Sequence, residues 1–209
     1  MALFGPPSVA KLAAKKDVPG LLSVLANQKD VQIRWDAIMA LGQIGDPRAV
    51  DPIILALRDS RLSIRSAAKS ALTKIGAPAV DSLIALLPSW DAAEVLGDIG
   101  DRRAVKPLLA VLPNWAAINA LGRLGDPAAV KPLLAILVSP DLLDRAAAAR
   151  ALGRIGDPRA LEPIRAMIGD SDQNVREAVE GALELLGRPK TSSPAPDRPP
   201  AASAPPRLD

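Results

Sequence analysis

The chain is predicted to be all-α: an α-solenoid, wound as a right-handed superhelix of about six helix pairs and a closing helix. Three observations predict it. The segment ALGQIGDPRAVDP, residues 40–52, returns as VLGDIGDRRAVKP from Val95, ALGRLGDPAAVKP from Ala120 and ALGRIGDPRALEP from Ala151, with a worn copy, ALTKIGAPAVDS, from Ala71. Apolar residues recur at helical spacing on both sides of every copy. Hydrophobic residues make up 49% of the 209 residues but aromatics only 2%, so the core must be alanine and leucine packed between closely spaced helices. A repeat array folds by stacking each unit on its neighbours, and its usual product is a long surface for partners.

The repeat leucine stands at Leu41, Leu72, Leu96, Leu121, Leu152 and Leu183, in steps of 31, 24, 25, 31 and 31 residues, so two units are short. At the amino-terminal end, residues 8–15 allow a short helix, and Val18, Leu21, Leu22 and Leu25 carry the second-helix pattern one period early. In the units that follow, Ile33, Ala37, Leu41 and Ile44, then Ile64, Ala68, Leu72 and Ile75, form the buried stripe of a first helix. Asp30, Ser60, Asp141 and Asp172 in the long units, with Ser89 and Asn114 in the short ones, are the expected caps of these first helices.

Glycine then ends the first helix in the left-handed conformation, aspartate caps the next helix, and proline enters its first turn where the amide has no partner to lose. Second helices follow on Val50, Ile53, Ile54 and Leu57, on Val105, Leu108, Leu109 and Leu112, and on Val130, Leu133, Leu134 and Leu137. The short units lose residues at the start of the first helix. Residues 172–186 make a closing helix whose outer face carries Glu177, Glu180 and Glu184, the polar cover an array end needs.

Two segments are therefore expected: a solenoid over residues 1–187 and a proline/alanine-rich tail over 188–209. Seven of the tail's 22 residues are proline, so it is expected to be a disordered, polyproline-leaning extension, with Pro196 and Pro199 spaced as in PxxP ligands. No apolar run approaches a membrane span and no signal-peptide core is evident, so a cytoplasmic protein is expected.

The net charge of +3 shrinks once the tail is set aside, leaving 22 basic against 21 acidic groups on the body. Such a body offers no bulk electrostatic grip on a phosphate backbone, which disfavours nucleic acid as a partner. Arg102, Arg103, Lys106 and Lys131 gather on the second helices of the short units, with Asp98, Asp101 and Asp126 as ready counterions. The chain has no histidine, cysteine or tyrosine, so it lacks the usual neutral-pH base, the thiol nucleophile and the common transition-metal ligands. No catalytic residue, cofactor or metal ligand is assigned. The carboxylate pairs Asp141 with Asp144 and Asp170 with Asp172 read as helix caps.

Trp35, Trp90 and Trp115 each lie six residues before a repeat leucine. Two readings are open: hydrophobic staples at the start of each helix, or aromatic anchors of an exposed interface.

On the repeated GDP-type turn, residues 17–187 resemble HEAT repeats, in particular the short HEAT-like repeats named after the phycobilisome lyases. The resemblance implies that a turn aspartate and a first-helix arginine tie neighbouring units, which maps onto Asp46, Asp101, Asp126 and Asp157 with Arg34, Arg65, Arg145 and Arg176. Ala77 stands where the worn copy needs its aspartate and the short units lack the arginine, so this ladder is expected to break between residues 77 and 115. The resemblance also implies a protein-binding scaffold or assembly factor, with Arg48, Asp51, Asp81, Arg103, Lys106, Lys131 and Glu162 exposed on the second-helix side as partner-binding candidates beside the three tryptophans. A bilin lyase-like subunit acting on a light-harvesting protein is the alternative. Related metal hydroxylases bind iron through histidines, which this sequence lacks.

Overall fold

The computed structural model describes residues 8–187; the tail predicted for 188–209 lies outside the described residues. The chain is a row of antiparallel helix pairs. Helices α1 (Val9–Ala14) and α2 (Val18–Asn27) form the first pair, followed by α3 (Val31–Ile44) with α4 (Val50–Ala56), and α5 (Leu62–Ile75) with α6 (Val80–Ile84). The short units supply α7 (Trp90–Ile99) with α8 (Val105–Ala110), and α9 (Trp115–Leu124) with α10 (Val130–Ile136). A final long unit gives α11 (Leu142–Ile155) with α12 (Leu161–Arg165), and α13 (Gln173–Gly187) closes the array. Among the described residues there is no strand. The six pairs and closing helix are those the repeat predicts, and the chain is an α-solenoid.

Local chemistry accounts for the joints. Gly45, Gly100, Gly125 and Gly156 end their helices in the left-handed region. The next residue, Asp46, Asp101, Asp126 or Asp157, accepts a hydrogen bond from the amide two positions on, nucleating a short 3-10 turn that runs into the second helix. Asp30, Asp141 and Asn114 cap α3, α11 and α9 through their side chains. Asp172 accepts from the Asn174 and Val175 amides at the start of α13.

Two expectations at these joints are corrected. Ser60 does not cap α5; the capping position is Arg61, and Asp59 takes the Arg61 amide at 3.0 Å while also holding Arg34 of the preceding unit at 2.8 Å. A carboxylate meets both demands where a hydroxyl meets one. In the worn copy the aspartate is deleted rather than replaced: Ala77 occupies the place of Pro47, and Gly76 serves both as the end of α5 and as the residue before the 3-10 turn Ala77–Ala79. Gly76 adopts φ 73°, ψ −131°, a combination only glycine tolerates well. The step of 24 against 25 between repeat leucines is this one-residue deletion.

The core is a single file of aliphatic side chains with no buried polar or charged residue among those described. Ile38, Leu41, Ile53, Ile64, Leu72, Leu96, Leu121 and Leu133 are wholly buried, each contributing about 1.5–3 kcal/mol by leaving water. Close approach of successive first helices depends on the residue after the repeat leucine. At Gly42, Gly97, Gly122 and Gly153 an added Cβ would fall 2.6–2.8 Å from the Cα of Ala71, Ala120, Ala151 and Ala182 on the next first helix. Between α5 and α7 the pair is Thr73 and Val95 instead. Both residues are β-branched, and from α3 onward this is the thinnest contact between consecutive first helices.

Candidate functional site

Shortening the first helix is what exposes two of the three tryptophans. Trp35 lies within the 14-residue α3, half-buried against the core. Trp90 and Trp115 are the first residues of α7 and α9, helices of 10 residues, because the turn that would precede them is missing. They stay 64% and 45% exposed, with ring centroids 5.6 Å apart and planes tilted by 40°. Asn114 sets their spacing: its Oδ1 accepts the Ala117 amide at 3.1 Å and its Nδ2 donates to the Pro88 carbonyl oxygen at 3.4 Å. The structure thus brings Trp90 and Trp115 together and leaves Trp35 apart.

The rings border a groove of about 290 Å³ that crosses the first-helix face and is walled by Lys69 on α5, Asp91 and Glu94 on α7, Arg123 on α9 and Arg154 on α11. Lys69 Nζ reaches Glu94 Oε2 at 2.9 Å and Asp91 Oδ1 at 3.4 Å. The Glu94 hydrogen bond raises the Lys69 pKa above the ordinary lysine value, so this ammonium stays charged. Arg123 Nη1 binds Asp98 Oδ1 at 2.9 Å, and among the described residues Arg154 has no carboxylate within ion-pair distance. The sequence reading overlooked Lys69, Glu94, Arg123 and Arg154. One signal was there: Asp98, Arg123 and Arg154 each stand two residues after a repeat leucine, which places them in one outward column.

The second-helix candidates are exposed as expected, but several are engaged with neighbouring groups. Arg48 is bidentate to Asp46, whose carboxyl that guanidinium and the Arg48 amide hold down at about 2. Ser82 Oγ donates to Asp51 at 3.2 Å across the unit boundary. Arg103 joins Asp101, Asp81 and the Ala77 carbonyl oxygen, and Glu162 pairs with Arg165. Lys106 and Lys131 stand exposed on the same side. An apolar hollow of about 380 Å³ between α8 and α10 is lined by Leu109, Leu112, Pro113, Pro132 and Ile136.

The ties between units differ from those the resemblance implies. Arg34 binds Asp59, and Arg145 binds Asp170 through two contacts of 2.9 Å, so these arginines reach the inter-unit loop and not the turn aspartates. Arg65 and Arg176 grip the same two loops from the other side, through the carbonyls of Asp59 and Ser60 and of Asp170 and Ser171. Asp46, Asp101 and Asp157 each bind the arginine two residues on, while Asp126 binds Arg102 of the preceding unit at 3.4 Å, a tie between units made by a turn arginine and not by a first-helix arginine. The expected break between 77 and 115 does not occur either, because Lys69, Arg103, Asn114 and Arg123 all bridge units there.

Stacked helix pairs with a glycine–aspartate turn define an α-solenoid repeat protein. The sequence profile of HEAT repeats matches residues 18–91 and 113–184, and that of the PBS lyase HEAT-like repeat matches residues 90–112 between them. The chain belongs to the HEAT-repeat family. No curated protein sequence matches it. Among solved structures, human deoxyhypusine hydroxylase in complex with glycerol is similar at 23% identity, over 85% of this chain and 76% of that one, with a TM-score of 0.46. The complex of CpcE and CpcF of phycocyanin lyase from Nostoc sp. PCC7120 is similar at 22% identity, over 86% and 85%, with a TM-score of 0.41. A designed armadillo repeat protein is similar at 18% identity, over 81% and 99%, with a TM-score of 0.44. No helix among the described residues is long and apolar enough to cross a membrane.

Proposed function

We propose that the chain is a non-catalytic scaffold that binds a partner protein, with the Trp90–Trp115 groove as its anchor and the exposed second-helix residues Arg48, Asp51, Asp81, Arg103, Lys106, Lys131 and Glu162 as a second, more polar contact face. The observation that carries this reading is the exposure of two adjacent tryptophans, 64% and 45% open to solvent with ring centroids 5.6 Å apart. Tryptophan exposed beside a concave, charge-bordered groove is the composition of a binding hot spot. Because the array is preformed, a partner pays little ordering cost on docking.

The bilin-lyase reading is kept as the second, on one observation: the short unit at 90–112 matches the PBS lyase HEAT-like repeat. Cross-linked affinity capture from the native host separates the two. The native chain is compared with a Trp90→Ala/Trp115→Ala variant, and the visible absorption of each eluate is recorded. A colourless, stoichiometric protein lost by the variant supports the scaffold; a bilin band or a light-harvesting subunit as main catch favours the second reading; equal capture by both chains removes the groove as anchor.

A further inference from the structure

The second residue of every second helix from α4 to α12 falls in one column on the second-helix face: Asp51, Asp81, Lys106, Lys131 and Glu162. The three carboxylates already have partners. Ser82 Oγ donates to Asp51, Arg103 holds Asp81, and Arg165 holds Glu162. Lys106 and Lys131 are exposed and, among the described residues, meet no carboxylate within ion-pair distance. The column therefore carries two uncompensated positive charges at its centre, in adjacent units. Their helices, α8 and α10, share the hexapeptide Val-Lys-Pro-Leu-Leu-Ala, at 105–110 and 130–135, and neither contains an acidic residue.

One turn along from the lysines lies the apolar hollow of about 380 Å³. Lys106 stands three residues before Leu109, and Lys131 four before Ala135 and next to Pro132, all lining residues. The polar side chain in the lining, Ser139, is already engaged: its Oγ donates to Asp144 Oδ2 and accepts the Asp141 amide, both at 3.2 Å. Asp144 also places negative charge behind that far end. The hollow is thus apolar inside, basic at one end and acidic at the other.

We infer that the face between α8 and α10 docks an acidic, apolar segment of a partner protein, with an aliphatic or aromatic side chain in the hollow and two carboxylates on Lys106 and Lys131. The inference rests on the reading of the chain as a protein-binding scaffold and names the chemistry its second-helix face takes. A carboxylate brought to either lysine makes an ion pair without breaking one, whereas a basic segment would add to charge that is already unbalanced. With no free polar side chain in the lining, an apolar group enters the hollow without stranding a hydrogen-bonding partner. All the lining comes from α8, α10 and the turns that follow them, so the hollow is an open trough that suits a side chain projecting from a polypeptide.

Spacing is consistent with one extended segment meeting both lysines. Adjacent second helices lie about 10 Å apart, and three residues of extended chain at about 3.1 Å each cover nearly the same distance. Carboxylates three positions apart, as in Glu-x-x-Glu, therefore reach both ammonium groups, and Asp144 sets the direction by repelling a carboxylate at the other end.

The test is a selection of random displayed peptides on the full chain, with the selected pool sequenced. It is repeated on Lys106→Glu/Lys131→Glu, on Ala135→Arg and on Trp90→Ala/Trp115→Ala. Lys106, Lys131 and Ala135 are exposed, so circular dichroism is expected to show the same helix content and melting in those two variants as in the native chain. The native chain is expected to enrich paired acidic residues beside an aliphatic or aromatic one. Charge reversal at the lysines turns that preference to basic residues, and Ala135→Arg removes the apolar preference by filling the hollow. A fluorescein-labelled peptide from the native pool is expected to bind a Lys106→Gln/Lys131→Gln chain about three- to tenfold more weakly. A native pool without acidic enrichment overturns the inference. Acidic enrichment that survives charge reversal, or that disappears in the tryptophan variant, overturns it too, since it places the acidic site on the other face. Capture of a partner from the native host by the native and tryptophan-variant chains judges the scaffold reading separately, so either can fail while the other stands.

Discussion

Arg103 and Ala77 are joined across the middle of the array: the Arg103 Nη2 donates to the Ala77 carbonyl oxygen at 2.8 Å, while its Nη1 reaches Asp81 at 3.1 Å. The worn turn has lost its aspartate, and the arginine of the next unit ties it to the array through a carbonyl oxygen, as Arg159 does to Pro127 in a turn that keeps its aspartate. Arg103→Ala is expected to speed amide exchange in α6 and the Ala77–Ala79 turn by about two- to fivefold, the modest effect of a partly exposed network, leaving α11 and α13 unchanged. Exchange followed residue by residue checks this; uniform protection in the variant would show that the contact carries no stability.

Gly42 against Ala71 and Thr73 against Val95 make a matched experiment on helix spacing. A Cβ at Gly42 would sit 2.6 Å from the Ala71 Cα, so Gly42→Ala must push α3 and α5 apart and is expected to cost about 1–3 kcal/mol in urea unfolding. Thr73→Ala removes a partly buried branched side chain at the thinnest of these helix contacts and gains helix propensity, so its expected change is within about 0.5 kcal/mol of zero. Equal losses at the two sites would mean that the spacing is set elsewhere.

Acid should loosen the unit boundaries before the core. Arg145 and the Asp172 amide hold the Asp170 carboxyl below its usual range, and the Arg61 amide with Arg34 does the same for Asp59. Asp46 is held at about 2, chiefly by the Arg48 guanidinium. These groups have lower pKa values folded than unfolded, so their contribution is complete above the unfolded carboxylate value, near about 3.9, and is lost as pH falls through the folded values. Melting temperature is expected to hold above about pH 5 and to fall from about pH 4 toward 2. Asp170→Asn and Asp59→Asn keep an amide-accepting oxygen but titrate no longer, so each removes up to one proton from the uptake on unfolding. An unchanged pH slope in both variants would exclude these loops as the acid-sensitive joints.

Much of this architecture was legible because each element is specified locally. The glycine and aspartate of the turn, the cap before each first helix and the 3.6-residue stripe are short-range signals, and the repetition averages out ambiguity in any one copy. What was not legible is what depends on relations between units. Asp59 looks like an ordinary loop residue until the preceding unit brings Arg34 to it, and Ser60 looks the better cap. Ala77 follows the turn glycine just as the aspartate does in the other copies, and only the backbone shows that Gly76 has taken two positions. The tryptophans illustrate the same limit: all three share one register to the repeat leucine, yet helix length decides that Trp35 packs while Trp90 and Trp115 face outward.

The contrast between Asn114 and Ser89 tests how the exposed rings are held. Both are the capping residues of short first helices, each directly before a tryptophan. Asn114 satisfies the Ala117 amide and also reaches Pro88 of the preceding unit, whereas the Ser89 side chain makes no cap hydrogen bond. Asn114→Ala is therefore expected to cost about 1 kcal/mol, within the usual range for losing a helix cap, and Ser89→Ala less than about 0.5 kcal/mol. Because Asn114 also sets the position of Trp115 beside Trp90, its loss should broaden the orientation of the ring pair and weaken the exciton signal between the two indoles in near-ultraviolet circular dichroism. A variant that loses stability but keeps that signal would show that the rings hold each other in place, without help from the cap.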